Sequence, residues 1–127
     1  MTEKNKFPLF PLNQVILPGE LLPLHIFEDR YIKMVNKSLD LNKEFGIVYM
    51  KNDIIEKVGC SVVIKKVMKK YENGEYDILC NGQKRFQINK LYKLRSSWYG
   101  DITFLDKQPE KEHNEYFDKT LDKYLKF

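Results

Sequence analysis

Residues 7–28 read FPLFPLNQVILPGELLPLHIFE and set Pro8, Pro11, Pro18 and Pro23 into one apolar stretch. Each proline lacks a backbone N–H and fixes φ, so no helix can run through this stretch. Prolines also sit badly in the middle of a sheet. The stretch is therefore expected to form short extended pieces broken by turns. Residues 7–12 are expected to be a strand, and Val15 to Leu17 a short apolar run closed by Pro18-Gly19. Residues 20–27 alternate, with Leu22, Leu24 and Ile26 on one face and Leu21, Pro23 and His25 on the other. Period-two alternation of this kind marks a half-buried strand.

From Glu28 the period changes. Tyr31, Met34, Val35, Ser38 and Leu39 recur at helical spacing, and the acidic Glu28 and Asp29 suit a helix N-terminus. A helix is predicted over 29–39, followed by a strand at 45–50 (FGIVYM). Residues 51–58 are expected to be a loop. Residues 59–71 (GCSVVIKKVMKKY) read as a long strand with a bulge at Lys65-Lys66. Asn73-Gly74 predicts a type I′ hairpin with Tyr71 and Tyr76 close to a cross-strand pair. A second turn is expected at Asn81-Gly82, a third strand through Phe86 and Ile88 to Leu91, and a last strand over 98–105. Beyond Pro109, Phe117, Leu121 and Leu125 recur every four residues, which predicts an amphipathic C-terminal helix.

At 127 residues the chain is expected to hold one β domain (1–108) and a terminal helix (109–127) that looks like the start of a shortened helical part. No run is apolar enough to cross a bilayer, and the polar start MTEKNK is not a secretory signal, so a cytoplasmic protein is expected. The net charge of +4 is modest, and Arg30, Arg85 and Arg95 are the only arginines. Phosphate and base recognition favours the arginine fork, so this balance argues against a dedicated nucleic-acid reader. Cys60 and Cys80 belong to no C-x-x-C pair and are expected as buried thiols.

No phosphate loop, Gly-x-Ser-x-Gly elbow or metal-ligand spacing is present, so no catalytic residue, cofactor or metal site is assigned. His25 is expected as a strand or core histidine with one hydrogen bond, and His113 as a solvated one. The lysines at 65, 66, 69 and 70 alternate with Val67, Met68 and Tyr71. They read either as a nucleic-acid platform or as an exposed edge guarded against aggregation, and the second reading is preferred. Surplus aromatic and apolar side chains suggest a protein-binding surface, with Tyr71, Tyr76, Phe117, Leu121 and Leu125 as its expected members.

The order of these pieces resembles the N-terminal domain of the ATP-dependent Lon protease family. The resemblance is carried by Phe7-Pro8-Leu9-Phe10-Pro11-Leu12, Pro18-Gly19, residues 22–28 (LPLHIFE) and Arg30-Tyr31, then by residues 45–48 (FGIV), Gly59-Cys60, residues 71–74 (YENG) and residues 77–86 (DILCNGQKRF). It departs at Val62, where the family often has Ala. The resemblance implies a mostly β, PUA-like pseudo-barrel of bent sheet with one inserted helix and a C-terminal helix. It also implies a non-enzymatic domain that recognises exposed apolar segments of unfolded or unstable proteins, or that assembles with itself or with a protease or ATPase subunit. The ATPase and Ser-Lys peptidase modules of that family have no counterpart in this sequence. Because the implied fold is named for RNA binders, an RNA-binding module is the second reading.

Overall fold

The computed structural model describes residues 6–105. The expected C-terminal helix, with Phe117, Leu121, Leu125 and His113, lies outside them, as does the expected domain boundary near 108. The described elements are β1 (Phe7–Leu12), β2 (Leu21–Ile26), α1 (Asp29–Leu41), β3 (Phe45–Lys51), β4 (Ile54–Lys70), β5 (Tyr76–Leu94) and β6 (Ser97–Phe104). They form one sheet in the order β2-β5-β4-β3-β1-β6, and β6 also pairs with β5. The sheet thus bends until its β6 end meets β5, and β2 stands outside that circuit. Every pairing is antiparallel except β1 with β3. The parallel pair follows from the connection, because β2 and α1 lie between its two strands in the chain.

Alternation along β1 and β3 sends side chains into two apolar clusters. Phe10, Phe45 and Ile47 join Ile26, Cys60, Val62, Tyr76, Ile78 and Cys80 against α1. Leu9 and Val48 join Phe86 and Ile88 inside the bend, with Phe7, Ile55, Trp98 and Ile102 packed around them. Phe86 is fully buried there. A Cβ added at Gly46 or Gly59 would lie 2.6 Å or 2.7 Å from the tip of its ring, so these glycines make the space that the ring fills. Helix α1 buries Tyr31, Val35 and Ser38 and ends at Asn42, which takes a left-handed conformation. It runs two residues past the sequence expectation.

Three local expectations are corrected. Asn81-Gly82 is not a turn, and β5 runs straight through it. Gly82 is needed because the Leu17 carbonyl oxygen lies 2.4 Å from where its Cβ would be. Its own carbonyl accepts the Gly19 N–H at 2.9 Å, and its N–H donates to the Glu20 carbonyl at 2.8 Å. Residues 51–58 are not a loop: Asn52 and Asp53, both at positive φ, turn β3 directly into β4. Arg95 and Ser96 turn β5 into β6 in the same way. At Asn73-Gly74 only Gly74 has positive φ, at 97°. The Gly74 N–H donates to the Tyr71 carbonyl and the Tyr71 N–H to the Glu75 carbonyl, which makes a three-residue loop instead of a type I′ pair. Tyr76 therefore faces Lys70 and not Tyr71. The bulge at Lys65-Lys66 is present as a register shift between Ile64 and Lys66.

Candidate functional site

The hairpin end of β4 and β5, with β2 alongside, forms a three-strand sheet whose two faces differ. Residues opposite one another across antiparallel strands share a face. The rows Ile64–Cys80–Leu22, Val67–Ile78–Leu24 and Lys70–Tyr76–Ile26 point toward α1. The rows Val63–Asn81–Leu21, Lys66–Leu79–Pro23 and Lys69–Asp77–His25 point the other way. That second face is open at Leu21, Pro23, His25, Lys66 and Lys69, with Val63, Asn81, Leu79 and Asp77 half-buried between them. It leaves Leu21 50% exposed, and Phe27, just beyond β2, is 59% exposed.

Met68 sits in the bulge between Val67 and Lys69 and is 47% exposed. With Pro23, His25, Lys69 and Asp77 it lines a shallow open groove across this face. β3 pairs with β4 only as far as Val62, so residues 65–70 of β4 are locally an edge. Four lysines on that edge fit the protective role expected of them. Among the described residues none of the four forms an ion pair.

The floor of the groove is polar and organised. His25 Nδ1 lies 2.7 Å from Asp77 Oδ1, and His25 Nε2 lies 3.1 Å from Glu75 Oε1. The Tyr71 hydroxyl donates to the other Asp77 oxygen at 2.6 Å. The Asp77 hydrogen bond raises the His25 pKa above its ordinary 6.5 against the opposing effect of burial, helped by the charges of Asp77 and Glu75. The hydrogen bonds from Tyr71 and then His25 hold Asp77 below its ordinary 3.8. The bond to Asp77 in turn raises the Tyr71 phenol. His25 stacks on Phe27 at 5.9 Å and meets the Tyr71 ring edge-on at 5.5 Å. Lys69 Nζ lies 4.6 Å from the Tyr71 ring centroid.

The structure brings Tyr71 to this face and takes Tyr76 away from it. Tyr76 is 4% exposed, packs toward α1 and donates its hydroxyl to Asn36 Oδ1 at 2.5 Å. Its ring is core, which corrects its placement on a binding surface. His25 has two carboxylate partners where one hydrogen bond was expected. Both link strands far apart in sequence, so no local pattern around His25 announces them. Its outward register in β2 was legible, and the hairpin at Gly74 fixes Glu75 just before β5 and Asp77 at its start. What was missing was the β2–β5 pairing itself.

The described residues hold no group of three or more His, Cys, Asp or Glu able to bind a metal. Cys60 and Cys80 are free and buried, and burial pushes both thiols up to about 12. No helix among the described residues is long and apolar enough to cross a membrane.

The family model for the ATP-dependent protease La (LON) substrate-binding domain matches residues 6–127. A Lon protease from Flavobacterium johnsoniae is 27% identical over 124 residues, covering 91% of this chain and 15% of its own length. One from Parabacteroides distasonis is 28% identical over 118 residues, covering 86% of this chain and 14% of its own length. The chain thus spans about 15% of the length of the curated relatives it matches. Among solved structures, a Lon N-terminal domain protein from Xanthomonas campestris superposes with a TM-score of 0.71 at 24% identity, over 93% of this chain and 72% of that one. The N-terminal domain of a Mycobacterium avium complex Lon protease gives 0.61 at 14% identity, over 96% and 75%. At these identities the two structures speak for the fold.

Proposed function

Because this chain belongs to the family of ATP-dependent protease La (LON) substrate-binding domains, we propose that it is a non-catalytic domain that binds polypeptide, in particular exposed apolar segments of unfolded or unstable proteins. The observation that supports this reading most is the open β2–β5–β4 face, with its exposed Leu21, Phe27 and Met68 and a groove that Met68 lines. Exposed apolar side chains gathered on one face are a usual sign of a protein-binding surface. Contacts of this kind are shallow and non-directional, which suits a binder of many sequences and weak affinity for each. The unpaired edge of β2 offers backbone groups to an extended segment as well.

The relatives' own proteolytic activity belongs to a length of chain about which these residues say nothing. In our reading this domain presents substrate, in a cytoplasmic setting, to a protease or ATPase module, or assembles with itself through Phe117, Leu121 and Leu125. Binding of the intact chain to a reduced, denatured model protein tests the reading, with the same protein in its native fold as control. The expected result is binding of the denatured form only. Equal retention of native and denatured protein, or of neither, would sink it. In the same assay a Phe117→Asp/Leu121→Asp variant reports whether the terminal segment takes part.

A further inference from the structure

We propose that the groove between β2 and β4 selects extended segments in which acidic residues alternate with apolar ones. This rests on the polypeptide-binding reading and names the substrate class of the same face. Two cross-strand rows carry the inference. In one, Lys66, Leu79 and Pro23 share the outer face; in the next, Lys69, Asp77 and His25 do. Met68 stands between the rows at the bulge. Apolar contact is therefore available from Pro23, Leu79 and Met68, with an ammonium group on the β4 side of each row.

Charge complementarity identifies the occupant. Lys66 and Lys69 form no ion pair among the described residues. The carboxylates near them, Asp77 and Glu75, are already engaged by His25, and Asp77 also by Tyr71, while Lys69 acts on Asp77 through its charge without a contact ion pair. With His25 protonated, the cations Lys66, Lys69 and His25 outnumber Asp77 and Glu75. With His25 neutral the two signs balance. An extended strand alternates its side chains between two faces, so a segment with Glu at every second position can meet both lysines along one side.

The tyrosines beside these lysines do not make a nucleic-acid platform. Base stacking needs a bare ring. The Tyr71 ring is covered by Lys69 and met edge-on by His25, and the Tyr76 ring is buried with Lys70 Nζ 5.4 Å from its centroid.

Fluorescence anisotropy on the intact chain tests this with four labelled probes. They are a peptide alternating Glu with Leu, its Gln-for-Glu counterpart, its Ser-for-Leu counterpart, and a single-stranded oligouridylate. The Glu-Leu peptide should bind tightest. A Lys66→Glu/Lys69→Glu variant should weaken it about tenfold, as reversal of two rim charges would, with a cooperative melt retained because both side chains are exposed. Its affinity should fall as pH rises through the titration of His25, and a His25→Gln variant should lose that dependence. If the Gln-for-Glu peptide binds equally well and charge reversal changes nothing, the acidic preference is wrong while polypeptide binding stands. If the oligouridylate binds and the peptides do not, or if no probe binds, both readings fall.

Discussion

Strands β4 and β5 run side by side for most of their length, yet their two halves sit in different surroundings. In the half that pairs Val58 with Gln87 and Gly59 with Phe86, β3 continues the sheet beyond β4 and β6 beyond β5. Side chains there fill the bend, and glycines are set where Phe86 leaves no room for a Cβ. In the half that pairs Lys66 with Leu79 and Lys69 with Asp77, β4 has lost β3 and only the face toward α1 is filled. The first half specifies the fold by volume. The second holds its shape through one buried face and a cluster of hydrogen bonds, which leaves the other face open to a partner.

Mutations should separate the two halves, most strongly at the filled one. Phe86→Ala empties a site closed on every side and should cost about 3–5 kcal/mol in chemical denaturation. A cost under about 1 kcal/mol would mean that the bend collapses freely and does not define the fold. Gly82→Ala, where the strap 13–20 presses the Leu17 carbonyl on β5, should cost about 1–3 kcal/mol, because backbone has to move.

At the hairpin, space is not the constraint: nothing lies within 4 Å of a Cβ at Gly74, and only its φ of +97° resists substitution. Gly74→Val should cost roughly 1 kcal/mol through that backbone conformation alone. A melt lowered only slightly by Gly74→Val but collapsed by Gly82→Ala would sharpen the contrast further. Equal losses at both positions would erase it.

The smallest effect should be the pH dependence of the open face. The folded pKa of His25 lies above 6.5, so its contribution to stability is complete below 6.5 and is lost as pH rises through the raised value. Asp77 behaves oppositely. Its folded pKa lies below 3.8, so its contribution is present above 3.8 and is lost as pH falls through the lowered value. Thermal melts of the chain and of His25→Gln across this range should differ most between the two windows and converge at higher pH. A constant difference at every pH would show that His25 acts by packing and not by charge.

Much of the fold could be read from residue order, because it rests on local signals. The prolines at 8, 11, 18 and 23, the change of period at Glu28 and the lysine-marked bulge each leave a mark within a few residues. The misplaced turns show where local signals fail. Asn81-Gly82 has turn chemistry, yet its glycine is there for a loop some sixty residues earlier in the chain. The real turns at Asn52-Asp53 and Arg95-Ser96 carry no glycine at their tips, and tight pairing of the flanking strands imposes positive φ on them. The open face was less legible still. It depends on the β2–β5 register, which joins His25 to Asp77 and sends Tyr76 inward, and no spacing within either strand encodes that pairing.

Chemical-shift mapping of the intact chain, titrated with a denatured model polypeptide, tests most directly the claim that the open half is the binding half. The account predicts shifts at Leu21, His25, Met68, Lys69, Asp77 and Leu79, with Gly46, Gly59, Phe86 and Gly100 unmoved. Shifts centred on β6 or α1, with the β2–β5–β4 face silent, would contradict it.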